Sequence, residues 1–220
     1  MKREILKTAD GSTTIYLPEM DESYHSTHGA IQEAEHIFIQ NGLLQHEEKG
    51  LTSISIFEMG FGTGLNALLT AIRSSLPVQY TGIEAFPVEP ELLSKLNYLS
   101  LIGEEHRQLF DAINSAKWEE EVSINESFQL KKIEAKIEDF EMPLNSFDLI
   151  FFDAFGPRAQ AEMWTPQILE KMSNSLKVGG ALVTYCAMGQ FKRDLKALGL
   201  TIEVLPGPPG KREMTKAWKV

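Results

Sequence analysis

Glu58-Met59-Gly60-Phe61-Gly62-Thr63-Gly64-Leu65-Asn66 is the stretch on which the fold turns. The run leading into it, Ile54-Ser55-Ile56-Phe57-Glu58-Met59, reads as a buried strand, and Leu65 to Ser74 as the helix that follows. Glycines where a strand gives way to a helix let the backbone bend tightly and let a ligand lie against the main chain. The spacing is Gly-x-Gly-x-Gly, without the Gly-x-x-Gly ending of a dinucleotide loop or the lysine of a phosphate cradle. The plain alternative is a turn that only packs helix against strand.

Outward from the glycines the chain alternates. Val78 to Ile83 reads as a second strand that ends at Glu84, about twenty residues on, where an acid can accept from both hydroxyls of a ribose. Glu91 to Tyr98 and His106 to Asn114 read as helices, and Phe128 to Ile137 as a third, more polar strand. Phe147 to Phe152 is a fourth strand, strongly apolar and ending at Asp153. Gln167 to Leu176 is a helix stopped by Val178-Gly179-Gly180, Ala181 to Cys186 a fifth strand, and Gln190 to Leu198 a helix. Thr201 to Leu205 and Glu213 to Lys219 read as a closing antiparallel pair. Near-continuous apolar strands between helices predict an α/β, doubly wound, mostly parallel sheet of Rossmann-like type. Residues 51–220 form its core. Residues 1–50 form a short extension, with an extended piece at Thr13 to Leu17 and a helix carrying Ile31, Ala34, Ile37 and Phe38 at helical spacing. The 220 residues are expected to make one domain.

Composition narrows the classes. No apolar run reaches the roughly 18 residues of a membrane span, and the start lacks a signal-peptide pattern. Cys186 is the only cysteine, expected as a packed core thiol, so neither a disulfide nor a cysteine metal cluster is expected and a cytoplasmic location is. A net charge of −10 argues against gripping nucleic acid over the whole surface. The charge is uneven, however: from Tyr185 onward seven basic residues stand against three acidic ones. Such a tail permits a local basic face, though solvated surface charge explains it equally simply.

The glycine loop and Glu84 together resemble the class I methyltransferases that bind S-adenosylmethionine. Further motifs narrow the likeness. Asp153-Ala154-Phe155-Gly156-Pro157, then Met163-Trp164-Thr165, then Gly210-Lys211-Arg212-Glu213-Met214 are similar to the methyltransferase domain of the MnmC-type tRNA-modifying enzymes, as is Asp21 to Ser26 with Gly29, Glu33 and Phe38. The resemblance implies S-adenosylmethionine as cofactor, with neither metal nor flavin. It places Glu58, Gly60, Phe61, Gly62, Thr63, Gly64, Asn66 and Glu84 around that cofactor, and Glu138 or Asp139 beside its adenine. Asp153, at the carboxyl end of its strand, is then the catalytic residue, positioning the acceptor amine and taking up its proton. Tyr24, Phe155 and Trp164 would line the substrate site, and Lys211 and Arg212 would meet tRNA phosphates.

That family methylates the exocyclic amine of 5-aminomethyl-2-thiouridine at the tRNA wobble position. Its bacterial members often carry a fused oxidase, which implies a separate oxidase or other amine-forming enzyme as partner here. Ala135-Lys136 stands where the family tends to place Gly-Asp, so the adenine contacts are expected to differ. Three rival readings share these residues: methylation of a small-molecule amine, a non-catalytic cofactor-binding partner, and aminopropyl transfer.

Overall fold

The computed structural model describes residues 2–220. Three short antiparallel strands open the chain, β1 (Glu4–Lys7), β2 (Thr13–Leu17) and β3 (Glu22–Ser23). A continuous helical stretch follows: α1 (Ala30–Ala34), a π-helical run Glu35–Leu44, and α2 (Gln45–Glu47). Then come β4 (Ile54–Met59), α3 (Leu65–Arg73), β5 (Val78–Glu84), α4 (Pro90–Leu93), α5 (Tyr98–Ile102), α6 (Arg107–Ser115), β6 (Glu121–Asn125) and β7 (Phe128–Glu134). The chain closes with β8 (Phe147–Phe152), α7 (Pro166–Ser175), β9 (Leu176–Thr184), α8 (Gly189–Ala197), β10 (Leu200–Pro206) and β11 (Glu213–Lys219).

Eight strands form the main sheet in the order β10-β11-β9-β8-β4-β5-β7-β6. The five from β9 to β7 are parallel, and the edges β10, β11 and β6 are antiparallel. From β4 the chain first winds outward through β5 to β7, then returns to β8 on β4's other side, so the switch in strand order lies between β4 and β8. Side chains alternate across this doubly covered sheet. Ile54, Ile56, Leu149 and Phe151 pack with Leu68, Phe38 and Ile113 on one face. Phe57, Met59, Ile150 and Phe152 pack with Leu169, Met172 and Phe191 on the other. The α/β, mostly parallel reading therefore holds.

Several local expectations change. Glu91 to Tyr98 is two helices rather than one. The Asn97 side chain accepts from the Thr13 amide at 2.7 Å and donates to Gly11 O at 2.9 Å, a tertiary contact that holds the break open. The third parallel strand stops at Glu134, three residues early. Gly179 and Gly180 lie inside β9 rather than ending a helix. Gly180 fills an irregular pairing with β8, where a Cβ would come within 2.9 Å of Asp148 O. β1 and the edge strand β6 were not expected, since each shows only two apolar residues among polar ones.

The helical stretch before β4 lies against the sheet, with Ile37, Ile39 and Leu43 fully buried. Lys216 of β11, also fully buried, donates to Asn41 O in the π-helical run at 2.6 Å and to Gln45 Oε1 at 2.8 Å. Burial pushes its ammonium down to about 8 from 10.5. Lys132 of β7 is shifted alike, by burial. Between those values the unfolded chain binds the extra protons, so stability rises as pH climbs from about 8 toward 10. Lys216→Met is expected to remove about half of that rise, leaving the part due to Lys132, as thermal melts across the range would read.

Candidate active site

The switch between β4 and β8 opens a crevice at the carboxyl ends of the strands, the usual ligand position in an open α/β sheet. Here it is a cleft of about 1090 Å³. Its floor is the turn from β4 into α3. Gly60, Gly62 and Gly64 have φ of 90°, 53° and 73°, in the left-handed region that favours glycine. A Cβ on Gly60 would come 2.5 Å from Asp153 O, and one on Gly62 would come 3.2 Å from the Tyr24 ring. The turn thus runs between the end of β8 and the N-terminal segment, with no room for side chains at either point.

Glu84 is built into this floor. Its Oε2 accepts the Gly62 amide at 3.0 Å and its Oε1 the Phe86 amide at 2.9 Å. Each oxygen keeps lone-pair capacity for another donor. Glu58 lies one strand away on the face toward α3. Its Oε2 accepts from Tyr80 OH at 2.8 Å and its Oε1 from Asn66 Nδ2 at 2.8 Å. The same Asn66 nitrogen donates to Asp153 Oδ2 at 2.9 Å. One amide group therefore joins the buried Glu58 to the half-buried Asp153, and Asn66 Oδ1 is left buried without a partner.

Burial, then the nearby Asp153, holds Glu58 well above the usual carboxylate range despite its hydrogen bonds. Burial, then the Glu33 charge, pushes Asp153 up to about 7, opposed by the Asn66 hydrogen bond and the Lys211 charge. A carboxyl poised there exchanges a proton readily near neutrality. Tyr24 and Phe155 meet edge to face at 5.2 Å on the cleft wall.

Of the residues expected from sequence, Glu58, Gly60, Phe61, Gly62, Thr63, Asn66, Glu84, Glu138, Asp153, Tyr24, Phe155 and Lys211 line this one cleft. Four do not. Gly64 caps α3 under the Phe61 ring. Asp139 is in a turn closed on Lys136 O, outside the cleft. Trp164 is buried among Phe152 and Phe191, and its Nε1 donates to Phe155 O at 2.8 Å, so it holds the loop rather than facing a ligand. Arg212 points to solvent with its side chain 94% exposed. Lys211 lies in the cleft but not as a surface phosphate ligand would, for its ammonium meets Glu33 Oε1 at 2.6 Å.

Glu33, Tyr80, Tyr185 and Arg3 belong to the site or its support and were not expected there. Glu33 carried a readable signal: it stands three residues after Ala30 and four before Ile37, on the apolar side of its helix. Arg3, just before β1, reaches across to Phe86 O at 2.6 Å and Pro87 O at 2.9 Å, a tertiary contact with no sequence signature. Among the described residues, no cluster of three or more His, Cys, Asp or Glu is placed to hold a metal. No helix among them is long and apolar enough to cross a membrane.

A glycine turn and strand-end acids at the switch point of a doubly wound sheet define the class I methyltransferase architecture. Residues 104–220 match the family model described as S-adenosyl-L-methionine-dependent methyltransferase, and the chain belongs to that family. It is 30% identical over 219 residues to the tRNA 5-methylaminomethyl-2-thiouridine biosynthesis bifunctional protein MnmC of Cupriavidus metallidurans, covering 93% of this chain and 32% of that protein. The same-named protein of Leptospira interrogans is 28% identical over 211 residues, at 89% and 32%. The chain thus spans about a third of the length of the curated relatives it matches.

Among solved structures, MNMC2 from Aquifex aeolicus superposes with a TM-score of 0.79 at 24% identity, over 100% of this chain and 70% of that one. Spermidine synthase from Thermotoga maritima shares the fold at a TM-score of 0.61 and 15% identity, over 98% and 68%. The donor set fits the family's cofactor. The glycine turn offers bare backbone, Glu84 has acceptor capacity for a diol, and Asn66 Oδ1 is an unpaired acceptor.

Phe61 rests on Gly82 of β5, where any Cβ would overlap its ring. Gly82→Ala is expected to push Phe61 out of the glycine turn and weaken S-adenosylmethionine binding by ~10-fold or more in a protein that still melts cooperatively. Calorimetry giving an unchanged Kd would show that Phe61 has no part in shaping the turn.

Proposed function

We propose that this protein transfers a methyl group from S-adenosylmethionine to the aminomethyl nitrogen of 5-aminomethyl-2-thiouridine at the tRNA wobble position. The carrying observation is that Asp153, half-buried with a proton affinity near neutrality, shares the cleft with the glycine turn in a chain similar along nine-tenths of its length to the MnmC proteins. In this reading Gly60 to Thr63, Asn66 and Glu84 hold the cofactor, Glu84 through the ribose hydroxyls and Glu138 near the adenine. The cofactor supplies an activated methyl group, whose bond to sulfur breaks with its electrons leaving on sulfur.

The acceptor nitrogen needs its lone pair free, so an ammonium must first lose a proton. Asp153 receives that proton and passes it to water, while its position at the end of β8 orients the nitrogen. Tyr24 and Phe155 present aromatic surface to a uracil extruded into the cleft. Arg212, with the other cations after Tyr185, suits phosphates outside the cleft. A separate oxidase or another amine-forming enzyme would supply the substrate, and the cell compartment of tRNA modification, the cytoplasm, would hold both.

One observation favours a second reading. The cleft is lined by ten carboxyl-bearing residues against Arg3, Lys136 and Lys211, a lining better suited to a small cationic amine than to phosphate. Methylation assays on undermodified tRNA and on small polyamines, run side by side, separate the two. A protein that methylates only the amines sinks the tRNA proposal. Salt dependence of tRNA binding adds a second measure, since phosphate contacts release counterions.

Glu84→Ala removes the acceptor of two loop amides and of the proposed ribose bonds. Cofactor affinity is expected to fall about 10- to 100-fold, as calorimetry would report. Asp153→Asn is expected to keep cofactor affinity while turnover falls by ~10²-fold and the acid limb of the pH–rate profile near 7 disappears. The same change should raise stability at neutral pH. Asp153 is held protonated up to about 7 in the fold, so the native state loses stability as pH rises from about 4 toward 7, a loss asparagine does not suffer. A variant no more stable at pH 7 than the wild type would contradict the burial argument.

A further inference from the structure

The cleft contains an ion pair that this chemistry leaves unused. Glu33 of α1 is only 9% exposed. Its Oε2 accepts the Ser26 amide at 2.7 Å and its Oε1 accepts from Lys211 Nζ at 2.6 Å. The ammonium also lies 3.9 Å from the centre of the Tyr185 ring. Tyr185 OH in turn donates at 2.7 Å to the carbonyl of Ala154, the residue after Asp153.

Backbone packing holds the pair in place. The Gly207 amide donates to Arg212 O at 3.2 Å, closing the turn between β10 and β11 that carries Lys211. Gly210 in that turn, with φ of 84°, lies against the His28 ring, where any side chain would overlap. The turn is thereby pressed onto the N-terminal segment that also leads into Glu33. Segments far apart in the chain thus bring one carboxylate and one ammonium to the wall that holds Asp153.

The geometry points to Glu33 and Lys211 as positioning residues that tune the charge at Asp153: Lys211 cancels Glu33, so of these three groups only Asp153 carries uncompensated charge toward the acceptor nitrogen. This rests on the reading of Asp153 as the group that takes the amine's proton. Without Lys211, two carboxyl groups would face the incoming nitrogen. They would favour its unreactive ammonium form and favour the protonated form of Asp153. Without Glu33, the lone cation would do the opposite.

The other titratable neighbours do not undo this balance. His25 is pushed down to about 4 by burial and is neutral. Tyr185 and Cys186 are pushed up by burial and keep their protons. Glu58 is held well above the carboxylate range, by burial first. Glu22 in β3 is half-buried, where solvent screens its charge.

Two single variants test this because they move the charge in opposite directions. Lys211→Met leaves Glu33 uncompensated. Glu33→Gln keeps an acceptor for Ser26 and leaves Lys211 uncompensated. Carboxyl carbon NMR of the protein without cofactor or tRNA reads the Asp153 midpoint directly. It is expected to rise by on the order of one pH unit in Lys211→Met and to fall by a similar amount in Glu33→Gln. The double variant and Lys211→Arg should both return it toward the wild-type value. On tRNA carrying 5-aminomethyl-2-thiouridine, the acid limb of kcat/KM should shift with the midpoint, so Lys211→Met loses ~10-fold below the limb and recovers at high pH. Should Lys211→Met fail to melt cooperatively, Glu33→Gln and Lys211→Arg decide the question. An Asp153 midpoint that stays unmoved, or moves the same way in both single variants, overturns the inference even where methylation survives. Opposite shifts in a protein that leaves tRNA untouched uphold the charge balance and sink the tRNA reading alone.

Discussion

Holding the buried Glu58 and the half-buried Asp153 within reach of one Asn66 amide is unfavourable, and the cleft is arranged around that expense. Desolvation disfavours both charges, and two carboxyl groups sharing a donor disfavour each other's ionisation. The fold answers with Tyr80 OH on Glu58, with Asn66 anchored at the start of α3, and with backbone contact between Gly60 and Asp153. The Asp153 amide donates to Met59 O at 2.9 Å, so β4 and β8 part only after both acids are set. Moving either strand end would separate the glycine turn from Asp153. The arrangement of the cleft is therefore a property of strand order before it is a property of any loop.

Much of this was legible in the amino-acid order because it rests on short-range patterns. The glycine turn, Glu84 and Asp153 each sit where an apolar strand ends, and strand ends in a parallel sheet share one rim. What escaped reading depends on contacts across the chain. The break at Asn97 exists because its side chain reaches Gly11 and Thr13 in the N-terminal hairpin. β6 is an exposed edge, and such strands show little apolar signal. Trp164 reads as a ligand contact from its motif, yet its indole is spent holding Phe155 O. Lys211 reads as a surface cation in a basic tail, and only the Gly210 turn against His28 directs it inward.

The first fifty residues are more than a covering. Arg3 fastens β1 to the loop after Glu84, Tyr24 packs over Gly62, and Glu33 reaches the wall beside Asp153. Arg3, Tyr24 and Glu33 therefore bring lining to the cleft from outside the alternating β/α core. This division separates general from particular chemistry. The core supplies the backbone surface common to the fold, and the N-terminal segment and the β10–β11 turn supply the charges and rings that would distinguish one acceptor from another.

The π-helical run Glu35–Leu44 carries its own consequence. Three consecutive residues, Ile37, Phe38 and Ile39, are all at most 2% exposed, so the run is covered on more than one side. Removing one residue while this winding is kept would swing everything on one side of the cut by roughly a quarter-turn about the helix axis. Glu33 lies just before the run and Gln45, a partner of Lys216, just after it, so the two cannot both keep their places through such a deletion. Length variation among related chains should accordingly be scarce here, in a stretch that looks like ordinary helix, and freer in the surface turns on either side.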